Sequence, residues 1–197
     1  MEKRADKNLR LEGLFCRLTP VTEKELPLIV NLRNREKNKY FLNQKSDITL
    51  KMQEEWFLEY QKRENDIYLG IRNRDNVFIG TIRLYNIEGD TCEEGSCIVD
   101  DRYAREAPYA AEAKYLLTQY AFHVLGMQRM INEIRVDNKV MKSLARQQGF
   151  LPVKQVEIGG AMYCYMVLDA DRYAGERLKR ILDNWKERET IEDKSEN

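Results

Sequence analysis

The chain has 197 residues, which is enough for one well-packed α/β domain and too few for two. Its 33 basic and 33 acidic residues balance, so the composition does not favour a nucleic-acid-binding surface. The start of the chain is charged, and no long apolar run follows, so neither a signal peptide nor a membrane span is indicated. We therefore expect a cytoplasmic protein that binds neither nucleic acid nor membrane.

The first part of the chain predicts an arm, a strand and a helix. Residues 1–13 are charged and aperiodic, which indicates a flexible arm. The run from Leu14 to Leu18 reads as a strand. Thr22 and Glu25 then form a capping-box pattern ahead of a helix that continues to about Arg35.

A second helix and three antiparallel strands are predicted next. The helix starts at Thr49 and carries three aromatic residues at helical spacing, a stripe typical of packing against a sheet: Trp56, Phe57 and Tyr60. Turn-forming residues separate the strands, which we place at residues 67–71, 77–87 and 91–99.

The second half alternates helices and strands. It predicts a helix from Pro108 to Leu125, a strand at 129–136, a helix at 138–148 stopped by Gly149, and a hairpin at 151–168. The domain therefore spans residues 14–168, and a charged C-terminal helix within 169–188 precedes a disordered tail at 189–197. The sequence leaves open whether this helix packs on its own domain or on a second copy in a homodimer.

Cysteine and histidine usage gives no metal-binding pattern. The single histidine, His123, has the apolar neighbours Phe122 and Val124, which indicate a packing role in the core or at an interface. None of the four cysteines forms a Cys-x-x-Cys pair, and all lie in apolar, strand-like surroundings: Cys16, Cys92, Cys97 and Cys164. We expect buried free thiols and no metal.

The most informative segment is Arg105-Glu-Ala-Pro-Tyr-Ala-Ala-Glu-Ala113, between a strand and a long helix. A helix N-terminus presents unpaired N–H groups and a dipole that favours anions. A second strand then leads to Asn138 and a helix closed by Gly149-Phe150. In this order the two halves resemble the acyl-CoA-binding core of the GNAT superfamily of N-acetyltransferases, over residues 15–168.

This resemblance implies an α/β fold whose central, mostly antiparallel mixed sheet splays at the cofactor site, with flanking helices and an added C-terminal helix. It also implies acetyl-CoA as the cofactor. Ile98, Val99 and Asn138 would lie beside the pantetheine arm, and Ser143 near its thioester end. The alternatives are that Ile98 and Val99 are core residues, that Ser143 lies on a helix surface, and that Asn138 is the N-cap of the helix that follows, a role it can combine with a cofactor contact. The pyrophosphate would be surrounded by six consecutive residues: Arg105, Glu106, Ala107, Pro108, Tyr109 and Ala110.

The loop departs from the family pattern at two positions. Glu106 and Pro108 stand where the family has glycines, which let the backbone approach the pyrophosphate. Pro108 lacks an N–H donor, although proline suits the first helical position. A GNAT-shaped binding protein without transferase activity is therefore one alternative.

Acyl transfer requires removal of the amine proton and stabilisation of an oxyanion, and an acid can also reprotonate the departing thiolate, although free CoA thiolate does not need one. By resemblance Glu94 is the candidate base, and strand alternation turns Glu93 to the opposite face. Glu94 would need burial to raise its pKa, or a water relay, to act well. Many family members carry a tyrosine acid where this chain has Ala145, and Tyr163 and Tyr165 are substitutes by location.

The acceptor is indicated by Arg83-Leu-Tyr-Asn86, which follows an Ile-Gly-Thr strand. This segment is similar to acetyltransferases of 4-amino sugars on nucleotides, which serve surface-carbohydrate biosynthesis. Arg83 would hold a phosphate, Tyr85 would stack on a base or sugar, and Asn86 would complete the substrate site. Arg83 could instead face solvent. The run Tyr109–Ala113 is similar to the ribosomal-protein-type branch, which acetylates protein N-termini. A protein or peptide N-terminus is therefore the alternative to a small-molecule amine as acceptor.

Overall fold

The computed structural model describes the backbone of residues 5–195 and the side chains of residues 5–188. Its strands are β1 (Leu11–Glu12), β2 (Cys16–Pro20), β3 (Ile67–Asn73), β4 (Phe78–Glu88), β5 (Thr91–Val99), β6 (Arg129–Arg135), β7 (Leu151–Ile158) and β8 (Ala161–Asp169). They form one sheet in the order β1-β2-β3-β4-β5-β6-β8-β7. Every neighbouring pair is antiparallel except β5 and β6, which are parallel. The predicted fold class is confirmed.

The helices are α1 (Leu26–Arg33), α2 (Glu36–Phe41), α3 (Leu50–Lys62), α4 (Tyr109–Gln119), α5 (Lys139–Gln148) and α6 (Gly175–Ser195). They cover both faces of the sheet. This can be seen on β3, whose successive side chains point to opposite faces and pack against different helices. Tyr68 packs with Phe57 and Tyr60 of α3, whereas its neighbours Ile67 and Leu69 belong to the larger core that includes α4. The aromatic stripe of α3 therefore packs against the sheet, as predicted. None of the described helices is long and apolar enough to cross a lipid bilayer.

Local sequence signals set several helix ends as predicted. Thr22 and Glu25 form a capping box, and the Thr49 side chain accepts a hydrogen bond from the Met52 N–H at the start of α3. Gly149 ends α5 with a φ of 107°, a left-handed conformation that glycine adopts without steric cost.

Residues 5–13 lie against the fold, and the expectation of a flexible arm is wrong for them. The Ala5 N–H donates to the Glu64 carbonyl, Leu9 is buried, and β1 pairs with β2. Lys7 donates through Nζ to the Asp66 carbonyl at 2.6 Å. A charged segment can thus be ordered when its backbone extends a sheet edge and a single apolar side chain reaches the core. Residues 1–4 lie outside the described residues.

The C-terminal helix starts and ends later than expected. A short 3-10 turn at Ala170–Arg172 precedes α6, which continues to Ser195 through residues expected to be disordered. Leu178 and Leu182 of α6 are buried, and the helix contacts α4 and α5. It therefore packs on its own domain. Residues 196–197 lie outside the described part of the chain.

Glu112, in the first turn of α4, fixes the start of β2. Its carboxylate is buried and accepts three backbone N–H bonds, from Leu14 (2.5 Å), Phe15 (2.8 Å) and Cys16 (2.7 Å). A Cβ at Gly13 would lie 2.5 Å from the Glu112 carboxyl carbon, so the chain can pass here because that residue is glycine. The acidic residue of the Tyr-Ala-Ala-Glu-Ala run is thus a structural anchor between two segments that are far apart in sequence.

Candidate active site

The sheet opens between its two parallel strands. Pairing of β5 with β6 stops after Thr91–Glu93 and Arg129–Ile131, although both strands continue. Beyond that point a cleft lies between residues 94–97 of β5 and residues 132–135 of β6. The splayed sheet that the sequence predicts is present, and each strand offers an edge without a neighbouring strand there.

The α2 segment crosses the mouth of this cleft. The Tyr40 hydroxyl donates to the Asp137 carboxylate, and the Arg135 guanidinium lies over the Tyr40 ring at 3.9 Å. Asn43 donates through Nδ2 to the Ile158 carbonyl at 2.7 Å. These contacts tie α2 to β6 and β7 and roof the cleft.

A buried polar cluster forms the floor of the cleft. Glu94 is 1% exposed and makes an ion pair with Lys114 of α4, which is also 1% exposed. Asn132 donates to Glu94 Oε1 at 3.1 Å, and Gln148 donates to Glu94 Oε2 at 3.5 Å. Burial lowers the pKa of Lys114 to about 7. Glu94 faces inward as predicted, and its carboxylate is held by this ion pair.

A second carboxylate, Glu133, lines the same cleft from β6. Its pKa is raised, first by burial and then by the charge of Glu93. Glu93 lies on the opposite face of β5 from Glu94, as strand alternation predicts, and accepts a hydrogen bond from Asn86 at 2.8 Å. Glu133 could not be found from the sequence, because its proximity to Glu93 depends on the parallel pairing of β5 with β6, in which Glu93 lies opposite Ile131.

The loop between β5 and α4 is clamped at its start by Asp100. Arg35 donates to both oxygens of this buried carboxylate, at 2.6 and 2.9 Å, and Arg102 donates to it at 2.7 Å. Burial alone would raise the pKa of Asp100, but the two guanidinium groups more than offset it and hold the pKa well below its usual range. This Asp100 cluster joins the turn between α1 and α2, which carries Arg35, to the loop.

Three features of the loop bear on anion binding. The amides of Arg105 and Ala107 make no backbone hydrogen bond to any residue that the structure describes, and the Arg105 side chain is exposed without an ion pair there. Burial, followed by the charge of Glu106, raises the pKa of Tyr109 to about 12, so the Glu106 carboxylate lies near that hydroxyl. Pro108 is the N-cap of α4, one residue before the first helical position expected for it.

A separate cavity of about 270 Å³ lies on the α1 and α3 side of the sheet. Its polar and aromatic lining consists of Arg33, Gln53, Trp56, Tyr68, Arg83 and Ser96. Ser96 also lines the cleft between β5 and β6, so the two spaces meet at this residue. Ser96 has a φ of 50° and lies where the register between β4 and β5 shifts, which marks a β-bulge. This bulge turns β5 towards both spaces.

Residues 16–151 match the family model of the acetyltransferase (GNAT) domain. The chain belongs to the GNAT family. It is an acetyl-CoA-dependent N-acetyltransferase. A comparison with curated proteins found no match.

Several solved structures share this GNAT fold. A GCN5-related N-acetyltransferase from Brucella melitensis is 20% identical, with a TM-score of 0.73 over 94% of this chain and 89% of that one. The spermidine N-acetyltransferase from Vibrio cholerae, in complex with CoA and spermine, is 16% identical, with a TM-score of 0.72 over 80% and 97%. Apo FdhC, a nucleotide-linked sugar GNAT, is 26% identical, with a TM-score of 0.71 over 88% and 97%.

Of the residues proposed to contact the pantetheine arm or its thioester end in this GNAT domain, Asn138 lines the cleft and Ser143 does not. Asn138 caps α5 by accepting from the Met141 N–H at 3.1 Å, and it also lines the cleft. Ile98 and Val99 lie on β5 beyond the last pair with β6. Ser143 is exposed on α5 and is not part of the cleft lining.

The positions that the sequence suggests for a thiolate acid are buried or half-buried. Ala145 is fully buried in the core, Tyr163 is buried, and Tyr165 is half-buried. His123 is exposed, with its ring 6.4 Å from that of Tyr173, and it lines neither the cleft nor the cavity. It lies in a π-helical turn that extends α4.

The substrate residues are brought together in part. Arg83 lines the cavity, but its Nε donates to Asp66 at 2.7 Å and its guanidinium lies over the Trp56 and Tyr85 rings. Burial opposes its charge, yet Asp66 more than offsets this and raises the pKa of Arg83. Tyr85 and Asn86 lie further along β4, outside the cavity lining. Arg83 is therefore paired with Asp66 inside the fold and does not simply face solvent, while its role toward a phosphate stays a prediction.

The cysteines are free, and two of them, Cys16 and Cys92, are buried. Cys97 and Cys164 are half-buried, so the expectation of buried thiols holds for two of the four. Burial raises the pKa of Cys97, which lines the cleft, to about 12 and keeps its thiol protonated at neutral pH.

Proposed function

We propose that this enzyme transfers an acetyl group from acetyl-CoA to the primary amine of an amino-sugar nucleotide. The observation that carries the proposal is the meeting of the cleft and the cavity at Ser96. One space is open to the unpaired strand edges, and the other is walled by arginine, glutamine and aromatic side chains. The similarity to a nucleotide-linked sugar GNAT at 26% identity supports this acceptor class.

The residues of the cleft fit acetyl-CoA. The unpaired edge of β5 at Ile98 and Val99 suits the amides of the pantetheine arm, which would pair with it as an added strand does. Arg105 and the amides of Arg105 and Ala107 would hold the pyrophosphate, and Glu106 would face Tyr109. When bound, acetyl-CoA supplies the acetyl group as a reactive thioester.

Replacing Arg105 with glutamate is expected to weaken CoA binding by about tenfold or more, because charge-assisted hydrogen bonds to phosphate contribute roughly 1.5–3 kcal/mol. Calorimetric titration with acetyl-CoA measures this. Arg177→Glu, at an exposed position of α6, is the matched control and should leave binding unchanged. Equal binding by the Arg105 variant would place the pyrophosphate elsewhere. Absence of binding to the unmodified chain would favour a GNAT-shaped protein without transferase activity.

Two carboxylates of the cleft can receive the proton of the acceptor amine. The Glu94 carboxylate is buried and already bound by Lys114 and Asn132, which makes it the poorer proton acceptor unless a water relays the proton. Glu133 is exposed to the cleft and its pKa is raised, which makes it the stronger one. We assign Glu133 as the base and Glu94 as the charged group of the cleft floor.

Glu133→Gln is expected to lower kcat/KM by about 100-fold, within the range for loss of a general base. The base acts when deprotonated, so kcat/KM of the unmodified enzyme should fall as pH drops through the raised pKa of Glu133. That acidic limb should be missing in Glu133→Gln. Glu157→Gln, on the exposed face of β7, is the control. An acidic limb retained by Glu133→Gln and lost in Glu94→Gln would return the role to Glu94.

A peptide N-terminus is the second candidate acceptor. The carboxylate of Glu133 in the cleft, reinforced by the charge of Glu93 nearby, favours a cationic amine over a neutral one. Parallel assays with an amino-sugar nucleotide and with a peptide of free N-terminus distinguish the two, since the preferred acceptor has the higher kcat/KM.

A further inference from the structure

Arg33 is the last residue of α1, and it lines the cavity beside Ser96. Its side chain makes no hydrogen bond and no ion pair to any residue that the structure describes. Burial lowers its pKa, the Tyr68 hydroxyl opposes that shift, and Arg83 adds to it. A guanidinium group is strongly basic and keeps its charge, so this cavity holds a charged donor group that has no partner among the described residues.

The charge balance around the cavity is positive. Asp66 is the acid of this region, and it already binds Arg83 at 2.7 Å and Arg63 at 3.3 Å. Lys7 adds a further cation at the Asp66 carbonyl. No acidic side chain among the described residues lines the cavity itself. The internal acid therefore serves Arg83 and leaves Arg33 uncompensated.

Gln53 gives an independent indication of a polar ligand. Its side chain is 5% exposed and lines the cavity from α3. The amide forms no hydrogen bond within the described residues. The unpaired buried amide oxygens of the described residues belong to Gln44 and Gln148, so the Gln53 amide atoms are open to the cavity and available to a ligand that can accept and donate there. Arg33 and Gln53 thus offer donors to the same space.

We propose that Arg33 binds a phosphate group of the acceptor, with Gln53 beside it, while the acceptor amine reaches Ser96. This inference rests on the proposed function and names the residue that selects its substrate. The phosphate belongs to the acceptor, because the loop that would hold the CoA pyrophosphate contributes no residue to this cavity. Arg83, the arginine that the sequence indicates for this role, lies in the cavity wall and is held there by its ion pair with Asp66.

The test uses full-length enzyme saturated with CoA, and uridine diphosphate as a probe that carries phosphates and no amine. Calorimetry should show binding to the unmodified enzyme, at least a tenfold loss in Arg33→Met, and partial retention in Arg33→Lys. Arg63→Met is the matched control, because Arg63 is an arginine of the same region that pairs with Asp66 and lies outside the cavity lining. Unchanged binding by Arg33→Met would overturn the proposal.

Thermal unfolding supplies a readout that is independent of binding. Removing a buried charge without a partner should raise the Tm of Arg33→Met above that of the unmodified chain, because binding residues often cost stability. A lower Tm would show that Arg33 has a structural partner and would count against the proposal.

Acetylation assays separate this inference from the proposed function. Glucosamine 6-phosphate and glucosamine differ by one phosphate, and Arg33→Met should remove the preference for the phosphorylated amine. If amino-sugar nucleotides are acetylated equally well by Arg33→Met, the proposed function stands and the inference fails. If they are not acetylated but uridine diphosphate binding still depends on Arg33, the phosphate site stands and the acceptor is another phosphorylated amine.

Discussion

Below about pH 7, where Lys114 is protonated, replacing it with methionine is expected to lower the free energy of unfolding by about 3–5 kcal/mol, the range for removing one member of a buried ion pair. The carboxylate of Glu94 would remain 1% exposed, with Asn132 and Gln148 as its remaining hydrogen-bond donors. Urea unfolding followed by circular dichroism measures the change. Methionine approximates the length of lysine, so the loss reports the charge and not a large cavity.

The double variant Glu94→Leu/Lys114→Met is the matched comparison. It removes both charges and should recover most of the stability lost by Lys114→Met, because an apolar pair of similar volume replaces a buried ion pair at little cost. A double variant as unstable as the single one would show that the cleft floor depends on the wider hydrogen-bond network. In that case the ion pair itself would not be the main contribution.

The pH dependence of stability tests the same pair. The pKa of Lys114 in the folded chain is lowered to about 7, below its value of roughly 10.4 in an unfolded chain. Between these values the unfolded chain binds more protons, so stability should rise as pH increases from about 7 to about 10. Lys114→Met should lack this rise. A rise of the same size in both proteins would assign it to other groups.

Replacing Glu112 with alanine is expected to cost about 3 kcal/mol or more. Three N–H groups, of Leu14, Phe15 and Cys16, would lose an ionised acceptor, and each such bond contributes roughly 1.5–3 kcal/mol when considered alone. The sum is an upper bound, because the three bonds share one carboxylate. Urea unfolding measures the loss, and hydrogen exchange at these three amides should show local release.

Two variants control for other effects at this site. Glu176 is also an acid in the first turn of a helix, but it is exposed, so Glu176→Ala should cost less than about 1 kcal/mol. Gly13→Ala retains the carboxylate and adds a Cβ 2.5 Å from it, and should therefore destabilise by displacing Glu112. A loss from Glu112→Ala no larger than that from Glu176→Ala would reduce the anchor to an ordinary helix-dipole contact.

Features set by local chemistry could be predicted from the sequence. The capping box at Thr22, the left-handed Gly149 and the N-cap at Asn138 each depend on a few neighbouring residues. The strand order and splay followed from resemblance to a family, since the pairing of β5 with β6 joins segments separated by a whole helix. Strand alternation placed Glu94 inward but did not give its partner.

The pairings of charged side chains could not be predicted, because they join distant parts of the chain. Asp66 neutralises Arg83 across a hairpin, and Lys114 reaches Glu94 from another layer of the fold. Arg33 has no distinctive neighbours in sequence, and its importance follows from the absence of a partner among the described residues. Periodicity indicates which residues face inward, whereas the charge balance of a cavity depends on the complete tertiary arrangement.

The Glu112 anchor has a practical consequence for truncation of the chain. The family match begins at Cys16, but two of the three amides that Glu112 binds belong to residues before it, Leu14 and Phe15. A protein that begins at the first matched residue would lose those donors, β1 and the Lys7 contacts together. The minimal stable enzyme therefore starts well upstream of the homologous segment, and deletion series for crystallisation or soluble expression should keep residues 5–15.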